Sequence, residues 1–64
     1  MLDGNKVASC RKRLGWSRLD LARHTGLCVE AIAKIETGQA VDPDRETVLV
    51  LAKALLVDVE DISE

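Results

Sequence analysis

Four residues at fixed offsets constrain this chain more than anything else in it: Ala22, Gly26, Ile32 and Ile35. Two helices can cross steeply around a tight turn only under three conditions. The first helix needs a small side chain at the crossing, and Ala22 supplies it. The turn needs a residue free of Cβ strain, and Gly26 supplies it four positions on. The second helix must bury one face, and Ile32 and Ile35, three apart, form that face. The second helix then runs from near Cys28 to near Glu36. Its other side carries Val29, Glu30, Ala33 and a single base, Lys34.

The neighbouring segments extend the pattern. Val7, Cys10, Arg11 and Leu14 recur at helical spacing, so a first helix runs from Gly4 or Asn5 to Leu14, where Gly15 stops it. Ser17-Arg18-Leu19-Asp20 fits a capping box that opens the second helix, with Trp16 placed to staple onto Leu21. Cys28 stands where Ser, Thr, Asp or Asn would cap the third, which forgoes about 1 kcal/mol. Asp42-Pro43 suits the start of a fourth helix over Arg45–Leu55, with Val48, Leu49, Leu51, Ala52 and Leu55 as its apolar set. Asp58-Val59-Glu60-Asp61 reads as another capping box, opening a short fifth helix through Ile62. With one Trp and no Tyr or Phe in 64 residues, a small barrel or sandwich is disfavoured. The expected fold is all-α: a single domain over residues 1–64, five short helices around one core.

Charge divides the chain. Residues 1–38 hold seven bases against four acids, a balance of +3, and residues 39–64 hold two bases against seven acids, a balance of −5. Such asymmetry suits a polyanion-facing side and a solvated one. No apolar run approaches the ~20 residues of a membrane span, and the N-terminus lacks a signal-peptide layout. A soluble, cytoplasmic protein with no membrane partner is expected. Cys10 and Cys28 show no C-x-x-C spacing, and with His24 they lack a fourth metal ligand, so no metal or cofactor is expected. Oxidation of Cys28 at a helix N-terminus lacks an evident resolving thiol. His24, one turn after Asp20, reads as half of a solvated pair. No nucleophile has a base partner, so the chain is not expected to be an enzyme.

The stretch SRLDLARHTGLCVEAIAKIETG resembles the helix-turn-helix of the Cro/C1-type (XRE family) repressors, and LAKALLVDVEDI resembles that family's fourth and fifth helices. The likeness covers Val7 to Ile62. It implies a lambda-repressor-like DNA-binding domain with helix-turn-helix at helices 2 and 3. Arg18 then takes the helix-two position where the family usually has Gln on a phosphate. Cys28, Val29, Glu30, Ala33 and Lys34 take positions that contact bases or phosphates, and Gly38 and Gln39 lie in a loop whose amides approach phosphate. Arg11 and Glu36 match a partly buried ion pair. The chain departs from the family at Cys28, Arg18, Thr25 (an apolar residue is commoner) and Leu56 (often Gly). Asp42 and Asp44 would weaken phosphate approach.

These readings converge on a sequence-specific, double-stranded DNA-binding regulator of repressor type, probing the major groove with residues 28–36. Val29 suits a thymine methyl, and Glu30 a cytosine amine, unless Glu30 and Lys34 merely pair with each other at i,i+4. Val50 and Leu56, apolar where the fourth helix needs nothing inside, are the candidate dimer surface. A homodimer would read half-sites one DNA turn apart. Two alternatives stand beside this reading. One is the same fold as a protein-interaction module of antitoxin or anti-repressor type, with a protein partner. The other is the N-terminal domain of a longer regulator.

Overall fold

The computed structural model describes residues 2–39 and 43–64. Each helix begins where a side chain can accept from the orphan amides of its first turn, with one exception. Asp3 caps α1 (Gly4–Arg13), its Oδ1 accepting from the Asn5 amide at 2.9 Å. Ser17 and Asp20 close the reciprocal box at the head of α2 (Arg18–Thr25), at 3.1 and 2.9 Å. Asp44 caps α4 (Arg45–Leu55) through the Thr47 amide at 3.0 Å. The fourth helix therefore takes its cap from Asp44, while Asp42, with residues 40 and 41, lies outside the described residues. The exception is α3 (Val29–Glu36), where Cys28 has cap geometry but makes no side-chain hydrogen bond.

The helices also stop for local reasons. Gly15, Gly26 and Gly38 adopt φ of 75°, 78° and 78° at the ends of α1, α2 and α3. At α4 the same left-handed position is filled by Leu56, φ 62°, a side chain for which that conformation costs about 1 kcal/mol.

Val7, Leu21, Ile32, Leu51, Leu55 and Ile62 are fully buried and form the centre of one core, with Ala22, Ile35 and Ala52 around them. Leu49 departs from expectation. It is 48 % exposed, because it falls at the flank of the stripe made by Leu51, Ala52 and Leu55. The fifth helix is also corrected. Val59–Ile62 forms only a 3-10 turn, so the described architecture is four α-helices and that turn. The Asp3 amide donates to the Ile62 carbonyl at 2.8 Å, and Leu2 pairs with Ser63 in an antiparallel bridge. That pairing turns the segment into extended chain before a second helical turn can form.

Trp16 packs at the core's edge, and its ring stacks on His24, centroids 4.1 Å apart and planes 4° off parallel. The solvated Asp20–His24 pair is thus replaced: the Asp20 carboxylate accepts from Ser17 and the His24 ring lies on Trp16. No helix among the described residues is long and apolar enough to cross a membrane.

Candidate nucleic-acid interface

The α2–α3 turn is built from residues 21–28. Gly26 donates its amide to the Ala22 carbonyl at 2.8 Å, ending α2 in a single left-handed residue. Thr25, unexpected here as a polar residue, ties the turn from within. Its hydroxyl donates to the Leu21 carbonyl at 2.9 Å and accepts from the Leu27 amide at 3.2 Å. Ala22 is buried at the crossing, and Ile32 and Ile35 fill the space beside it. One face of α3 is thereby fixed. The opposite face presents Glu30 and Lys34 to solvent, with Val29 exposed and Ala33 half-buried along its flank and Cys28 exposed at the start. The structure therefore brings five of the sequence-selected residues onto one accessible surface.

The C-terminal end of α3 is closed twice over. Gly38 donates to the Ile35 carbonyl at 3.2 Å and Gln39 to the Lys34 carbonyl at 2.8 Å, the paired arrangement that satisfies a helix's last carbonyls. The amides of Gly38 and Gln39, expected to approach phosphate, are thus engaged within the helix end, while the Gln39 side chain is exposed.

Glu36, the last residue of α3, is the electrostatic centre. Arg11 reaches it from α1 as a fork, Nε to Oε2 at 2.7 Å and Nη2 to Oε1 at 3.0 Å. The remaining Arg11 nitrogen, Nη1, donates to the Trp16 carbonyl at 2.7 Å. Arg18 reaches the same carboxylate from α2, Nε to Oε1 at 3.0 Å. The Glu36 side chain is 2 % exposed, that of Arg11 10 % and that of Arg18 41 %. Burial pushes the Glu36 carboxyl up, but the hydrogen bonds and charges of Arg11 and Arg18 outweigh it and hold the group below its usual value. Donating to Glu36 raises the Arg11 pKa against the guanidinium's own desolvation. Both groups stay charged at neutral pH, and two cations share one anion.

Sequence reasoning missed the Arg18–Glu36 contact. The residues are 18 apart, and only the α2–α3 crossing brings them together. Arg18 against the helix dipole was the available signal. Asp44, read as a hindrance to phosphate, serves the start of α4, and its bonds from Thr47 keep its carboxyl lowered. Val50 is half-buried and Leu56 is 80 % exposed. Cys10 and Cys28 are free thiols, the first buried and the second exposed. Among the described residues, no cluster of three metal-ligating side chains exists.

A sequence model described as a helix-turn-helix domain matches residues 4–64. The chain belongs to the helix-turn-helix domain family. No curated protein matches it significantly by sequence. Among solved structures, it is similar to the restriction-modification controller protein C.AhdI from Aeromonas hydrophila, with a TM-score of 0.86 and 27% identity over 92% of this chain and 88% of that one. It is similar to the P22 c2 repressor in complex with a synthetic operator, with a TM-score of 0.88 and 26% identity over 100% of this chain and 96% of that one. The SinR/SinI complex shares the fold, with a TM-score of 0.88 and 24% identity over 97% of this chain and 59% of that one. These relatives match the Cro/C1-type resemblance. The family and neighbours are regulators rather than enzymes.

Proposed function

We propose that this helix-turn-helix chain is a sequence-specific, double-stranded DNA-binding transcriptional regulator acting in the cytoplasm. It places α3 in the major groove. One observation carries the reading: α3 is gripped along Ile32, Ile35 and Glu36 while Glu30 and Lys34 on its far side, and Cys28 and Val29 at its start, remain exposed. A surface held rigidly and left open is what base readout needs. The P22 c2 repressor, which this chain resembles over its whole length, is bound to an operator in its structure. In this reading Val29, Glu30 and Ala33 approach base edges, and Cys28 sits at the groove wall. Lys34, Arg18 and the Gln39 side chain hold phosphates.

Two copies would bind a two-half-site operator, joined through Leu56 and Val50. Leu56 supports this: an exposed apolar residue occupies a strained position where glycine would relieve the strain. Sedimentation as a monomer at micromolar concentration would remove the dimer from the proposal.

Selection of duplexes from a random pool tests the function. An enriched, two-fold-symmetric site is the expected result. Lys34→Ala and Arg18→Ala should each weaken that site roughly three- to tenfold at low salt, with a shallow salt slope of only about a few units overall. Failure to enrich any site, with no binding of bulk DNA at low salt, would favour the protein-interaction alternative.

A further inference from the structure

Arg18 is held by one edge and open on the other. Its Nε donates to Glu36 Oε1 at 3.0 Å, while Nη1 and Nη2 make no hydrogen bond among the described residues, and 41 % of the side chain is exposed. A guanidinium has two forks, a side fork that includes Nε and an end fork of two Nη groups. Here Nε is committed to a carboxylate that is 2 % exposed, while the two Nη groups have no partner among the described residues on a side chain that stays 41 % exposed at the first residue of α2. Glu36 cannot neutralise both of its arginines. Arg11 takes it through two bonds and Arg18 through one, which leaves a net positive charge at the outer member.

We infer that Glu36 is a positioning residue for DNA binding: its carboxylate clamps the Nε of Arg18 so that the free Nη pair forms a pre-aimed bidentate seat for one backbone phosphate. The inference rests on the DNA-binding reading and adds to it the device that sets the phosphate grip. Glu36 also ends α3 and is buried against Arg11 of α1. One carboxylate therefore fixes both the end of α3 and the direction of the phosphate-binding side chain, so the two move as a unit. Pre-aiming matters because an unrestrained arginine must order several torsions on binding.

Lysine distinguishes this device from simple charge. It keeps the positive charge but has a single nitrogen on a flexible stem, which cannot serve Glu36 and present a two-pronged seat together. The test uses a fluorescein-labelled 20-base-pair duplex of arbitrary sequence at low salt, since phosphate contacts are sequence-independent. Arg18→Lys should lose nearly as much affinity as Arg18→Ala, roughly three- to tenfold. Glu36→Gln should weaken binding several-fold beside Arg18 but by much less beside Arg18→Ala, each measured well below its melting temperature.

Wild-type affinity in Arg18→Lys overturns the inference, as does an equal effect of Glu36→Gln in both backgrounds. If Glu36→Gln does not fold, the comparison of Arg18→Lys with Arg18→Ala decides alone. If the wild-type chain binds no duplex, the functional reading falls and this inference with it. If it binds and the variants fail as described, only the clamp is wrong.

Discussion

The two ends of α3 are built on opposite principles. At its C-terminus, Glu36 is buried between two arginines, and Gly38 and Gln39 return their amides to the last turn. At its N-terminus, Cys28 offers no cap and the first exposed residues touch solvent. The contrast teaches how a short helix can be both rigid and available. Orientation is set at the end that faces protein. The other end is left with first-turn amides that no side-chain cap meets, open to water or to an outside partner.

The largest blow to this contrast would fall on Glu36. Glu36→Ala leaves Arg11 charged and enclosed with no counter-charge, and unfolding should become easier by about 3–5 kcal/mol. Urea denaturation followed by circular dichroism measures it, and a loss under about 1 kcal/mol would mean the closed end is not electrostatic. Acid should act on the same group. The Glu36 carboxyl is lowered in the fold, so its contribution is complete above the unfolded value of about 4.3 and is lost as pH falls through the lower folded value. Wild-type stability should therefore drop on acidification below about pH 4.3, and the Glu36→Ala variant should drop less. Asp20 and Asp44, also lowered by their caps, will keep some acid sensitivity in the variant.

A second way to break the closed end is steric. Gly4, at the first turn of α1, lies against the end of α3 with no room for a side chain. A Cβ there would sit 2.8 Å from the Glu36 carbonyl oxygen and against that of Ile35, both backbone atoms. The absence of that one carbon lets the positive end of α1 approach the negative end of α3. Gly4→Ala should destabilise by about 1–3 kcal/mol, since neither carbonyl can rotate away without disturbing its helix. A variant as stable as the wild type would show that the two helix ends are looser than their packing indicates.

The same contrast separates what the sequence discloses from what it hides. Ala22, Gly26, Ile32 and Ile35 were legible because helix periodicity and turn strain are local rules, and they locate the buried side of α3. Ser17–Asp20 was legible for the same reason. The shared carboxylate of Glu36 was not fully so. Its link to Arg11 came from a family resemblance, and its link to Arg18 depends on a crossing angle that no spacing rule supplies. The stack of Trp16 on His24 and the exposure of Leu49 likewise depend on where neighbouring helices stop covering the surface. The fifth helix shrank to a 3-10 turn because the N-terminal segment pairs with its end, a contact between residues about 60 positions apart. At the open end, the side chains of Cys28, Glu30 and Lys34 are exposed and make no hydrogen bond among the described residues, so nothing inside the chain fixes what each of them meets.

The smallest expected effect concerns that open end, and it can separate folding from binding. Cys28 already has φ −72° and ψ 145°, the backbone of a helix cap. A serine hydroxyl there would reach the amide of Glu30 or Ala31 without moving the chain. Cys28→Ser should therefore stabilise the fold by about 1 kcal/mol, read as a higher urea midpoint at unchanged slope. Cys28→Asp should stabilise at least as much, since a carboxylate also meets the positive end of the helix dipole. On DNA the two should diverge. Serine is neutral and leaves duplex affinity near the wild-type value, whereas aspartate places a negative charge where phosphates approach and weakens it. Equal affinities for both variants would mean that the N-terminus of α3 stays clear of the backbone, and the docking would have to be rotated about the anchored end.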